Sequence, residues 1–246
     1  MRMGMDRRRD PERRAPAEEA VLRTWSFVPA AILAGLLGTT MAAADADVQQ
    51  HSDQATIQHR FEDAAAWAQM FEDPARDVWQ QPDSVIARLV TRPDLVVADI
   101  GSATGYFPVR FARALPKGFV LGADVEPGMV TYLNDRARAA GLTNLVSVLA
   151  ATDDPHLPRA ADLIFICDTY HHIDGRIAYF QRLAAQLRPQ GRIAVVDYRP
   201  ESALGPPHKL APAVVEEEMA AAGYRVVNRF EMLPEQYFLV FERRTP

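Results

Sequence analysis

Residues 95–107, Leu-Val-Val-Ala-Asp-Ile-Gly-Ser-Ala-Thr-Gly-Tyr-Phe, constrain the fold of this chain more than any other stretch. An apolar run ends at Asp99, a loop containing Gly101 and Gly105 follows, and residues 106–115 carry helical spacing. This pattern predicts a strand, a tight loop and a helix. That order is typical of an α/β sheet that opens a ligand crevice at the carboxyl end of a central strand.

Six further segments have the composition of strands. They are residues 119–124, 145–149, 162–168, 192–197, 224–230 and 236–242. The first four alternate with segments of helical spacing, which favours parallel pairing, whereas the last two are joined through Pro234 and predict an antiparallel pair. We therefore expect an α/β, Rossmann-like, doubly wound sheet of seven strands, mostly parallel with an antiparallel C-terminal strand.

Two acidic residues stand at the ends of successive predicted strands. Asp99 ends the first strand and Asp124, which lies 25 residues further on, ends the second. A nucleotide-binding fold places at about this distance the carboxylate that accepts hydrogen bonds from ribose hydroxyls. An acid at position 124 would also serve as the cap of the helix that starts near Pro127. Two acids beside one crevice favour the ligand-binding interpretation.

The loop after the first strand resembles the first motif of class I S-adenosylmethionine (SAM) methyltransferases, Asp/Glu-x-Gly-x-Gly-x-Gly. Asp99, Gly101 and Gly105 match the motif, and Ala103 replaces its middle glycine. We expect alanine to be accepted there only if its φ stays negative. The segment 187–191 also resembles the turn before the fifth strand of this family, with Gln190 in place of a glycine. The resemblance extends over residues 61–242 and implies SAM as the cofactor and methyl transfer to a small molecule as the activity.

The resemblance also implies which residues form the site. The expected cofactor-binding residues follow the carboxyl ends of the first four strands: Asp99, Gly101, Ala103, Gly105, Asp124, Val125, Asp153, Asp154 and Asp168. The acids at 153 and 154 are alternatives for receiving the adenine amino group. The candidate catalytic residues follow the fourth strand, where donor and acceptor meet: Tyr170, His171 and His172. An imidazole titrates near neutral pH and would suit a base, and a role as a hydrogen-bond partner is the alternative.

Two other functions stay open. A nicotinamide-dependent oxidoreductase would need Gly-x-Gly-x-x-Gly, which Ala103 and Tyr106 do not fit. A non-catalytic exported ligand-binding protein on the same fold is the second alternative. The formal net charge of −5 gives no reason to expect a nucleic-acid partner. With Cys167 as the single cysteine and adjacent histidines that diverge, we expect neither a disulfide nor a metal site. The sequence does not indicate the acceptor atom or the oligomeric state.

Residues 1–46 have the three parts of a secretory signal. Seven arginines precede an uncharged stretch over residues 25–44, and small residues follow at Ala42, Ala44 and Ala46. We expect a signal peptide and a periplasmic or otherwise exported protein. The alternatives are association with the membrane through residues 25–44, as an anchor, or a cytoplasmic location. A linker at residues 47–60, a cap of two helices at 61–94 and a SAM-binding core at 95–246 complete the expected organisation.

Overall fold

The computed structural model describes residues 63–244. The expected signal peptide, its alternative as an anchor, and the linker lie outside the described residues. Within the described part, none of the helices combines the length and the apolar character that a membrane crossing requires.

Strands and helices alternate through the described chain. The strands are β1 (Val96–Ile100), β2 (Phe119–Asp124), β3 (Leu145–Leu149), β4 (Ala161–Cys167), β5 (Leu187–Tyr198), β6 (Tyr224–Phe230) and β7 (Gln236–Arg243). The α-helices are α1 (Ala64–Phe71), α2 (Arg76–Gln80), α3 (Pro82–Leu89), α4 (Tyr106–Ala114), α5 (Pro127–Ala139), α6 (Arg176–Leu183) and α7 (Pro212–Ala221). Short 3₁₀ turns occupy Tyr170–His172 and Ala184–Gln186.

The strands form one seven-stranded sheet in the order β3-β2-β1-β4-β5-β7-β6. Strands β1 to β5 pair in parallel, and β7 runs antiparallel to both β5 and β6. This topology confirms the predicted fold. In the sheet β2 lies on one side of β1 and β4 lies on the other, so the strand order reverses at β1. A crevice opens at the carboxyl ends of the strands at such a reversal.

The core lies on both faces of the sheet. Every residue of β1 is buried, and successive side chains alternate between two hydrophobic clusters: Val96, Ala98 and Ile100 join one, and Val97 joins the other. Parallel strands covered by helices on both faces require such continuous apolar runs. These same runs made the strands recognisable in the sequence.

The segment before β1 differs from the prediction of two helices. It contains three, because α2 occupies five residues between Pro74 and Gln81. Gln81 adopts a left-handed conformation with a φ of 45°, and Pro82 then begins α3. A five-residue helix is too short to display a hydrophobic period, so the sequence pattern did not show it.

Candidate active site

A cavity of about 740 Å³ lies at the carboxyl ends of β1, β2 and β4. Its walls come from the loops after these strands, from residues 150–152 after β3, from Tyr198 at the end of β5, and from the segment 70–79. The volume falls in the range of about 300–1,000 Å³ that small-molecule and cofactor sites occupy. The helices before β1 therefore close a crevice that the sheet topology opens.

The two motif glycines are required for different contacts. Gly101 has a φ of +74° and lines the cavity, and a Cβ there would lie 2.2 Å from the Thr169 hydroxyl oxygen. Gly105 has a φ of +97°, does not line the cavity, and would place a Cβ 2.3 Å from Leu133 on α5. Gly101 thus lets the loop meet the tail of β4, and Gly105 lets α4 begin against α5.

The expectation that alanine is accepted at position 103 only with a negative φ is wrong. Ala103 has a φ of +44°, in the left-handed region, and lines the cavity. The backbone N–H of Ala103 donates a hydrogen bond of 2.8 Å to Asp124 Oδ2. The left-handed conformation costs an L-residue about 1–2 kcal/mol, and a hydrogen bond to a charged group returns roughly 1.5–3 kcal/mol. The bond to the carboxylate therefore stabilises the conformation that glycine would adopt freely.

Asp99 and Asp124 are buried in the wall of the same cavity. Asp124 also accepts a bond of 3.0 Å from the Glu126 N–H, whereas no described residue donates a hydrogen bond to the Asp99 carboxylate. Burial raises the pKa of both carboxyls, and the neighbouring Asp124 raises that of Asp99 further, against a lowering by Arg76. Asp99 is a buried acid that lacks a donor among the described residues.

The cavity is strongly acidic. Six of its described lining residues carry carboxyl groups: Asp73, Asp99, Asp124, Glu126, Asp168 and Asp174. Arg76 and His172 are its basic side chains in the described part of the chain. A cavity with this balance of charge favours a ligand that carries a positive charge.

Asp168 joins three elements at one end of the cavity. It follows β4 with a φ of +53°, and its Oδ2 accepts bonds of 3.1 Å from both Arg76 and Gln80 on α2. Its Oδ1 accepts a bond from the Gln236 side chain at the start of β7. Burial raises the pKa of Asp168 to about 6, although the charge of Arg76 opposes that rise. A carboxyl with this pKa changes its ionisation close to neutral pH.

Helix α2 is fixed to the start of α4 through aromatic and charged contacts. The Arg76 guanidinium lies 4.1 Å from the centre of the Tyr106 ring, and Arg110 lies 4.0 Å from the same centre. The Tyr106 hydroxyl donates to Asp77, which also pairs with Arg110 at 3.0 Å. These contacts hold Arg76 and Trp79 in the cavity wall. Both residues lie within the segment 61–94 that the sequence analysis expected to form a cap.

One of the three candidate catalytic residues lines the cavity, and it is His172. His171 is buried with its Nδ1 2.9 and 3.0 Å from the two carboxylate oxygens of Asp197. Burial lowers the pKa of His171, but the bond to Asp197 and its charge raise it by more. Tyr170 is buried outside the cavity lining, and its hydroxyl donates a hydrogen bond of 2.8 Å to Glu218. The structure therefore places His171 and Tyr170 away from the cavity.

The acids expected at the adenine also lie outside the cavity. Asp154 accepts bonds of 2.7 Å from the His156 N–H and 2.8 Å from Gln186, and the Asp153 side chain is 72% exposed. The neighbouring residues 150–152 line the cavity instead, together with Val125 after β2. Asp174 also lines it and does not cap α6, which begins after Gly175 without a side-chain cap.

Several residues that line the cavity, or that bond to a lining residue as Gln80 and Gln236 bond to Asp168, were not predicted as site residues. Gln80 and Gln236 are joined by a bond of 3.0 Å although they lie far apart in the chain, and no local pattern signals such a pair. Thr169 follows β4 and Tyr198 is the last residue of β5. The rule that ligands bind at the carboxyl ends of parallel strands, which identified the acids, would therefore have identified these two residues as well.

Comparison with known proteins identifies the domain. The family described as "Methyltransferase domain" matches residues 97–191. The chain is 30% identical to the methyltransferase GfsG of Streptomyces halstedii over 141 residues, which are 56% of this chain and 49% of that protein. It therefore spans about half the length of this curated relative.

Solved structures share the fold. A SAM-dependent methyltransferase from Aquifex aeolicus superimposes with a TM-score of 0.67 at 22% identity, covering 72% of this chain and 96% of that one. Magnesium protoporphyrin IX methyltransferase from Synechocystis PCC 6803, solved with bound SAH, gives a TM-score of 0.56 at 17% identity, covering 82% and 95%. Residues 97–191 thus match the methyltransferase domain family, and the described chain has the fold of SAM-dependent methyltransferases, which supports the expectation of a class I domain that uses S-adenosylmethionine.

Proposed function

We propose that this protein is an enzyme that transfers a methyl group from SAM to a small-molecule acceptor by in-line displacement. The observation that carries the proposal is the acidic cavity. SAM carries a positively charged sulfonium, whereas a nicotinamide dinucleotide carries a negatively charged pyrophosphate. Six carboxyl groups beside one arginine favour the first ligand and disfavour the second.

The residues present fit this cofactor. Asp99 is a buried carboxyl without a donor from the described residues, and a cation beside it would favour its ionised form. Asp124 is oriented by two backbone N–H groups and keeps acceptor capacity for ribose hydroxyls. When bound, SAM supplies a methyl group on a positively charged sulfur, which is already an activated electrophile.

The protein's part in the reaction is to hold the acceptor close, aligned and shielded from water. An acceptor hydroxyl also has to lose its proton. Asp168, which the sequence analysis expected at the cofactor, and His172, which it expected as a catalytic residue, both line the cavity. We assign the proton to Asp168, because a carboxylate offers about four acceptor positions and three donors occupy this one, which leaves one position for the acceptor.

The test combines binding and turnover. Calorimetric titration of the purified protein should show binding of SAM and none of NAD⁺. Methyl transfer from labelled SAM to a panel of small alcohols, phenols, amines and thiols should then show turnover. Binding of NAD⁺ in preference to SAM would favour the oxidoreductase, and SAM binding without transfer across the panel would favour a non-catalytic binding protein.

A further inference from the structure

We propose that the acceptor is a planar aromatic ring bearing a hydroxyl group, with the ring against Trp79 and Tyr198 and the hydroxyl toward Asp168. This inference rests on the proposed methyl transfer and adds the class of substrate. It is carried by the side chains that form the wall of the cavity around Asp168.

The first observation is an aromatic surface in that wall. Trp79 on α2 and Tyr198 at the end of β5 are both half-buried and both line the cavity. Their ring centroids are 5.8 Å apart and the ring planes are inclined by 36°. Neither the indole N–H nor the phenol hydroxyl bonds to a described residue. The two rings therefore present a continuous aromatic corner that a flat ligand would cover.

The second observation is that the loop after β5 packs against the Tyr198 ring. Gly205 has a φ of +81°, and a Cβ on it would lie 2.5 Å from both Cγ and Cδ2 of the Tyr198 ring. The loop after β5 therefore lies directly against the ring through a residue without a side chain. The backbone of Gly205 therefore limits the movement of the Tyr198 ring, which lines the cavity.

The third observation places the aromatic corner beside the acid. The Arg76 guanidinium lies 6.0 Å from the centre of the Trp79 ring and pairs with Asp168 at 3.1 Å. One side chain thus touches both the aromatic corner and the carboxylate. Because Arg76 balances the charge of Asp168, this end of the cavity suits a neutral hydroxyl better than an ammonium group.

In the transfer, the acceptor oxygen forms a bond to the methyl carbon while the bond between that carbon and the sulfonium sulfur breaks. The electron pair of the broken bond stays on sulfur, which becomes neutral, and the hydroxyl proton passes to the Asp168 carboxylate. Atoms and charge balance without an oxidant or a further co-reactant.

The experiment compares two probes that share a skeleton and a hydroxyl, 2-naphthol and decahydro-2-naphthol. Each is titrated by calorimetry into protein saturated with S-adenosylhomocysteine. We expect 2-naphthol to bind roughly tenfold more tightly, because stacking is available to the flat ring alone. Trp79→Leu and Tyr198→Leu should each remove most of this preference, whereas Tyr198→Phe should keep it.

Tyr132→Leu, the same substitution on α5 outside the cavity, is the matched control and should change nothing. A cooperative thermal unfolding transition in each variant shows that it is folded. Equal binding of the two probes, tighter binding of 2-naphthylamine than of 2-naphthol, or a preference that survives both leucine variants would overturn the inference. If S-adenosylhomocysteine fails to bind the wild type, the proposed function itself fails.

Discussion

Replacing Gly101 with alanine is expected to destabilise the protein through a contact with Thr169. The added Cβ would lie 2.2, 2.5 and 2.8 Å from the Oγ1, Cγ2 and Cβ atoms of Thr169. A change of the Thr169 side-chain rotamer cannot relieve the clash, because the Cβ of Thr169 is itself among the clashing atoms. Its hydroxyl also donates a bond of 2.9 Å to the Cys167 carbonyl, which a displacement would strain.

The magnitude follows from three contributions. A φ of +74° costs alanine about 1–2 kcal/mol, and forcing a methyl group into a packed contact costs about 1–3 kcal/mol. The lower entropy of the unfolded alanine chain offsets about 0.4–1 kcal/mol. We expect a net loss of about 3 kcal/mol in the free energy of unfolding, which lowers the Tm of a chain this size by about 6–12 °C.

Gly141→Ala is the matched control for the Gly101 substitution. Gly141 has a similar φ of +65° but nothing within 4 Å of the added Cβ, so the substitution should cost about 1 kcal/mol. Urea unfolding of both variants, and of Gly101→Ala combined with Thr169→Ala, measures the steric contribution as a coupling. Equal losses in the two glycine variants, without coupling to Thr169, would refute the reasoning.

Three further predictions follow from other parts of the chain. Glu218→Gln should lower the free energy of unfolding by about 3–5 kcal/mol, because it leaves the fully buried Arg176 without its counter-charge. In the same urea unfolding measurement Glu216→Gln is the control: Glu216 lies on the same helix and pairs with Arg229 at the surface, so the loss should be about 0–1 kcal/mol. Because the pKa of His171 is raised in the folded state, protonated His171 stabilises the fold fully below its ordinary pKa of 6.5, and this stabilisation is lost as pH rises through the folded-state pKa. His171→Gln should therefore flatten the decline in unfolding free energy above pH 6.5. An unchanged slope would contradict this prediction. We also propose export, and the N-terminus of the protein from its native host should follow Ala44 or Ala46; recovery of a peptide that begins at Met1 would contradict cleavage.

The fold was predictable because its central strands, such as β1 and β4, are buried on both faces. Runs such as residues 163–167 are apolar throughout, and an acidic residue stands next to the last residue of β1 and at the last residue of β2, so local composition marked both the strands and their carboxyl ends. The sheet topology then brought Asp99 and Asp124 to one cavity. These features depend on segments of five or more residues, which carry a pattern.

The contacts that complete the site depend on tertiary structure. Gln80, Asp168 and Gln236 meet from three elements, and the left-handed φ of Ala103 depends on a carboxylate 21 residues away. The tail of β4 forms a 3₁₀ turn, which directs His172 into the cavity wall and His171 toward Asp197. A sequence that places two histidines side by side does not show which of them faces the ligand.

The most direct test of the central claim is a calorimetric titration of SAM into Asp124→Asn, with Asp153→Asn as the control. Asp124 lies in the cavity and accepts two backbone hydrogen bonds, whereas Asp153 is exposed outside it. We expect Asp124→Asn to weaken SAM binding about tenfold or more, through the loss of a charged hydrogen-bond acceptor, and Asp153→Asn to bind like the wild type. Wild-type affinity in the Asp124 variant would contradict the account.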